Sequence, residues 1–133
     1  MAAVCIDCWY ETHSNEIICP NCGARIDPDE PSYERLLFWA LKNSRPDHRA
    51  LVCKVLGLRG TRTAVPHLLA MINDYAVTVR VAALHALASI GDESAIPAIE
   101  KALSSESLPV RIAARDALKE MGVDQHAPTS VTG

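Results

Sequence analysis

Arginine stands at positions 49, 80 and 111 and glycine at 60, 91 and 122, so two markers recur in step every 31 residues. The stretch Arg80–Gly91 is echoed by Arg111–Gly122 and, more faintly, by Arg49–Gly60. A second stretch keeps the same register, with Ala64-Val65-Pro66 matching Ala95-Ile96-Pro97. Ser32, Thr63 and Ser94 also fall 31 apart, each placed to cap a helix N-terminus. Every unit therefore reads as two helices. The first helices are predicted over 33–42, 63–72 and 94–103, the second over 46–59, 77–90 and 108–121. In the second helices Val79, Ala83, Ala86, Leu87 and Ile90, then Val110, Ala114, Ala117, Leu118 and Met121, share one face. The glycines suit the left-handed residue that ends a helix, and Pro66 and Pro97 suit a first turn. A two-helix unit hides its apolar face only against its neighbours, so the expected fold is mainly α, a short solenoid of six helices over 32–122. The last helix turns Arg115, Asp116, Lys119 and Glu120 outward, a polar face suited to the end of an array. Residues 123–133, small and polar, are expected to form a disordered tail.

The run Val79-Arg80, Ala82-Ala83, Ala86-Leu87, Ile90-Gly91-Asp92, Ala95-Ile96-Pro97-Ala98-Ile99 resembles the short HEAT-like repeat of the phycobilin lyases. The resemblance covers 32–122 and fades toward 32–60. It implies a HEAT-like solenoid serving as a protein-binding scaffold. It implies no particular activity, because such repeats occur in many unrelated proteins.

The N-terminus is built differently. Cys5 and Cys8 form one C-x2-C pair, Cys19 and Cys22 another, with ten residues between the pairs. Two-residue spacers let each pair turn through a tight knuckle and offer both sulfurs to one tetrahedral ion. Gly23 can take the positive φ with which such a turn closes. The second knuckle, Cys19-Pro20-Asn21-Cys22-Gly23, resembles that of the zinc ribbon, while the first departs from it in Ile6, Asp7 and Trp9. One structural zinc ion (Zn2+) held by Cys5, Cys8, Cys19 and Cys22 is the expected occupant. Two disulfides or two redox dithiols are the alternatives, and His13 is expected to be a solvated loop residue. Residues 1–27 are thus read as a zinc ribbon, and 28–31, with Pro28 and Pro31, as a linker.

Composition bounds the function. A formal net charge of −3 gives no overall pull toward nucleic acid or anionic membrane. No run approaches the roughly 20 apolar residues of a membrane span. The first residues lack the charged start and apolar run of a secretory signal, so a cytoplasmic location with reduced thiols is expected. No P-loop, nucleophile elbow or dinucleotide fingerprint occurs, and Cys53 falls where the next unit has Leu84, as a buried apolar residue would. The HEAT-like resemblance implies that the recurring arginines bond between neighbouring units, and a non-enzyme is expected.

The first unit departs from the later two. Leu36, Phe38 and Trp39 make its first helix apolar nearly all round, which predicts that they pack beneath the ribbon. Arg45, Lys54, Arg59 and Arg62 stand where the next unit has Ala76, His85, Ile90 and Glu93. They are the candidate partner-binding residues, and scaffold stability is not expected to need them. The reading that results is a zinc-binding adaptor engaging another protein. Its rivals are a nucleic-acid binder using the ribbon and the basic unit, and a chromophore-lyase-like or chaperone-like subunit.

Overall fold

In the computed structural model, which describes residues 2–13 and 17–123, five of the six α-helices carry proline at their start, and the two longest stop on glycine. The six α-helices are α1 (Pro31–Ala40), α2 (Pro46–Arg59), α3 (Val65–Met71), α4 (Val77–Ile90), α5 (Ile96–Ala102) and α6 (Leu108–Glu120). Pro31, Pro46, Pro66, Pro97 and Pro109 each sit in the first two positions of a helix, where the missing N–H leaves no bond unmade. Gly60 and Gly91 close α2 and α4 at φ 68° and 75°, a conformation that side chains with a Cβ resist. The chain is mainly helical, as the 31-residue period requires, and the expected tail lies outside the described residues apart from Val123.

Helix starts differ from expectation in one respect. Ser32, Thr63 and Ser94 do not cap. Pro31 opens α1 with Glu30 before it, which puts Ser32 inside the helix. Thr63 and Ser94 lie within 3-10 turns, Arg62–Ala64 and Glu93–Ala95, that lead into α3 and α5. At the second of these turns it is Asp92 that accepts from the Ser94 N–H, at 2.9 Å. A carboxylate two residues earlier reaches the open N–H directly, so the serine hydroxyl is not needed.

Helices α2, α4 and α6 lie side by side as one layer, and α1, α3 and α5 pack on it as a second. Val52, Val55 and Leu56, then Leu84 and Leu87, then Val110 and Leu118 are sealed between the layers. The expected stripes are buried throughout except at Met121, which is half-exposed. Backbones in the first layer approach closely. A Cβ on Gly57 would stand 2.7 Å from Ala86 Cα, so glycine is required where α2 crosses α4. No helix among the described residues is long and apolar enough to cross a membrane.

The N-terminal segment carries a two-stranded antiparallel ribbon, β1 (Ala3–Val4) and β2 (Glu11–Thr12), pairing Ala3 with Thr12 and Val4 with Glu11. Ala2, Ala3 and Val4 belong to the same buried cluster as the helices. The segment is therefore continuous with the solenoid core.

Candidate metal centre and its seat on the helices

Two turns of one design face each other. In the first, the Trp9 N–H donates to Cys5 O at 2.6 Å and the Cys5 N–H to Tyr10 O at 3.0 Å. In the second, the Gly23 N–H donates to Cys19 O at 2.9 Å and the Cys19 N–H to Ala24 O at 2.7 Å. The position after each second cysteine is left-handed: Gly23 has φ 82° and Trp9 has φ 63°. Glycine takes that conformation freely, whereas a bulky residue holds it only under constraint. For Trp9 the constraint is packing, since its indole stacks on the His48 ring at 4.0 Å between centroids.

The turns bring the Sγ atoms of Cys5, Cys8, Cys19 and Cys22 within 4.8 Å of one another. Cys5 meets Cys22 at 3.6 Å and Cys8 meets Cys19 at 3.6 Å, each contact crossing from one knuckle to the other. A tetrahedron of thiolates at the ~2.3 Å zinc–sulfur distance has edges of about 3.8 Å, so the donors fit one ion of that size. No disulfide joins any of the five cysteines. The surroundings of the four differ. Burial pushes the Cys5 thiol up to about 12. The Asn21 amide, 3.4 Å from Cys8 Sγ, holds Cys8 down at about 7. Four thiolates so close repel, and a cation at their centre offsets that repulsion. Cys5, Cys19 and Ile26 form a small core of their own beneath the cluster.

The segment is fixed to the helices at named points. The Tyr33 hydroxyl on α1 accepts from the Val4 N–H and donates to Val4 O, both at 2.7 Å. Arg59 on α2 donates to Ala2 O at 3.1 Å and Pro28 O at 2.9 Å, with its guanidinium 5.2 Å from the Tyr33 ring centre. Lys54 on α2 pairs with Glu11 at 3.0 Å. Two of the candidate partner-binding residues therefore hold the N-terminal segment, and stability does draw on them. The later units lack them because they have no such segment to hold. Arg45 pairs with Asp47 at 2.8 Å and Arg62 with Asp92 at 3.4 Å, both pairs largely in solvent.

The expected junction is displaced. Leu36 lines a small cleft with Cys5, Ile6 and Ile26 and so lies next to the knuckles. Phe38 instead stacks on His67, at 4.1 Å, in the first turn of α3. Trp39 is 63% exposed. Apolarity marked the right helix, but a tyrosine hydroxyl and an arginine fork make the joint. His48 and Tyr33 gave no signal in the sequence, and Arg59 gave one only as a break in the repeat.

Arg49 behaves as the repeat predicts. It donates twice to Asp74 of the next unit, at 2.9 Å each, and to Asn43 O at 2.8 Å, with the Tyr75 ring 4.9 Å away. Cys53 is fully buried, and desolvation pushes its thiol up to about 12, well away from nucleophilic use. Between α2 and α4 runs a groove of ≈ 460 Å³ lined by Leu51, Leu58, Val81 and Ala82 among others. No curated protein matches the sequence at a significant level. The family described as HEAT repeats matches residues 34–122, the span from α1 to the end of α6. The match runs through all three 31-residue units, and the chain belongs to the HEAT-repeat family.

Proposed function

We propose that this chain is a non-catalytic adaptor whose solenoid binds a helix of another protein in the groove between α2 and α4, with a zinc-bound knuckle pair closing one end. The observation that carries the reading is the groove itself. It is mostly apolar, it runs between two long helices, and Leu58 at its edge is 53% exposed. An amphipathic helix laid along it would bury that lining while Lys54 and His85 meet its polar flank. HEAT repeats generally mediate protein–protein interaction, which agrees with this use.

Cys5, Cys8, Cys19 and Cys22 would hold the zinc, leaving no position for water, so its role is structural. When bound it supplies cross-linking of the two knuckles. Such a thiolate site requires a reducing compartment, consistent with a cytoplasmic protein. Nucleic acid is the weaker reading, because Arg45, Lys54 and Arg62 each face a carboxylate.

The test is a photo-crosslinking residue placed at Leu58 in the native cell, with Arg115 on α6 as the control position. One partner is expected to be captured from Leu58 alone. Leu58→Glu should then weaken binding of that purified partner by roughly tenfold or more while leaving the helical signal intact, since buried anchors dominate such contacts. Equal capture from both positions, or an indifferent Leu58→Glu, removes the reading.

A further inference from the structure

Arg49, Arg80 and Arg111 hold one position in successive units, so the chain carries its own control. Arg49 is answered by the carboxylate of Asp74, and that same carboxylate accepts from the Ala76 N–H at 2.9 Å. Thirty-one residues on from Asp74 stands Ser105. Its hydroxyl keeps the second of those two roles, accepting from the Ser107 N–H at 3.2 Å. It has no carboxylate for the first. Arg111 uses Ser105 O, at 2.7 Å, as Arg49 uses Asn43 O. Arg80 is left over. Its Nε is buried and meets no acceptor among the described residues. A guanidinium nitrogen sealed from water without an acceptor is costly to the fold.

Arg80 lines a cleft of ≈ 340 Å³ between α3 and α5, together with Asn73, Lys101 and Ser105. Ile72 and Val110 are among its apolar walls, and no acidic side chain lines it. We propose that this cleft binds a segment of a partner protein through an aspartate or glutamate side chain flanked by an apolar residue. The incoming carboxylate takes the place that Asp74 takes for Arg49. The planar fork of Arg80 suits a carboxylate, Lys101 adds a second positive charge, and the apolar walls receive the neighbouring side chain. The proposal rests on the reading of the chain as a protein-binding adaptor and adds the chemistry of what it recognises.

Ser105→Asp is the decisive variant, because it rebuilds the internal pair at a position whose turn already accommodates aspartate in the preceding unit. The full chain, isotopically labelled, is titrated with three probes: the blocked peptide Leu-Asp-Leu-Leu, its Leu-Asn-Leu-Leu counterpart, and inorganic phosphate. The aspartate peptide is expected to give saturable shifts centred on Arg80, Lys101 and Ser105, with the other two probes at least about tenfold weaker. Ser105→Asp should raise Tm and weaken the aspartate peptide by about tenfold or more, because the site is then filled from within. Arg80→Gln should weaken the peptide equally and cancel the gain in Tm when combined with Ser105→Asp. Equal binding of the asparagine peptide or of phosphate, binding that survives Ser105→Asp, or no response to any probe overturns the site. A partner captured through Leu58 that is indifferent to both variants overturns it too, and leaves the adaptor reading standing.

Discussion

The helical units bury leucine, valine and alanine along the whole length of α2, α4 and α6, whereas the knuckle segment gathers only Cys5, Cys19 and Ile26 into a core of its own. Apolar area stabilises at about 25 cal/mol per Å², so the first arrangement holds itself and the second cannot. The knuckles have two substitutes for area. One is the four-sulfur cluster, and the other is the lodging of Ala2, Ala3 and Val4 in the solenoid core. Order in the segment thus has two outside sources, the ion that the four sulfurs could hold and the neighbouring helices.

The largest test of this contrast removes the metal donors. Structural zinc in small peptides is worth about 10–16 kcal/mol of apparent binding free energy near neutral pH. Cys22→Ser or a strong chelator is therefore expected to abolish amide protection across residues 2–27 while α4 and α6 keep theirs, as read by hydrogen exchange. If α4 and α6 lose protection together with the knuckles, the two regions form one cooperative unit and the contrast fails.

A second, smaller effect is expected inside the solenoid. The Arg49 and Asp74 side chains are only 6% and 8% exposed, so removing one partner strands a buried charge. Arg49→Leu should cost about 3–5 kcal/mol, measured by denaturant unfolding. The same pair sets a pH dependence. Burial would raise the Asp74 carboxyl, but the Arg49 guanidinium outweighs it and holds Asp74 below the usual carboxylate range. Its folded pKa is depressed, so its stabilisation is present above the ordinary carboxylate value and fades as pH falls through the lower folded one. Wild type should lose stability below about pH 4 more steeply than Asp74→Asn does. Parallel acid profiles for the two proteins would show that the pair contributes nothing.

The smallest of the three sits at the joint. Tyr33→Phe leaves the buried Val4 N–H and C=O without their shared partner, at a cost of about 1–3 kcal/mol. The loss should appear as faster exchange at β1 and β2, with α4 unchanged. A uniform loss across all helices would mean that the joint supports the whole array.

How much of this could be read in advance follows the same division. Helices α2 and α4 match the bounds expected from periodicity, because Gly60 and Gly91 end them and the apolar stripe fixes their faces. The four sulfur donors were legible too, since tetrahedral ligation dictates cysteine spacing. The joint was not. Val4 and Tyr33 are 29 residues apart and Ala2 and Arg59 are 57 apart, and neither contact belongs to a period. Phe38 and Trp39 misled because hydrophobicity shows that a face needs cover without showing what covers it. The Asp74-to-Ser105 exchange lies in plain view in the register, yet it gains meaning only from the buried Arg80 Nε, which meets no acceptor among the described residues.

Trp9 gives the molecule a built-in optical reporter. Its indole is half-buried and lies flat on His48, while Trp39, the other tryptophan, faces water. Emission from Trp39 should respond little to whether the knuckles are seated, because its ring is mostly in solvent. Emission from Trp9 should shift to longer wavelength once the first knuckle unwinds and the indole leaves His48. Loosening at one end of the array can therefore be followed in unlabelled protein, separately from melting of the helices.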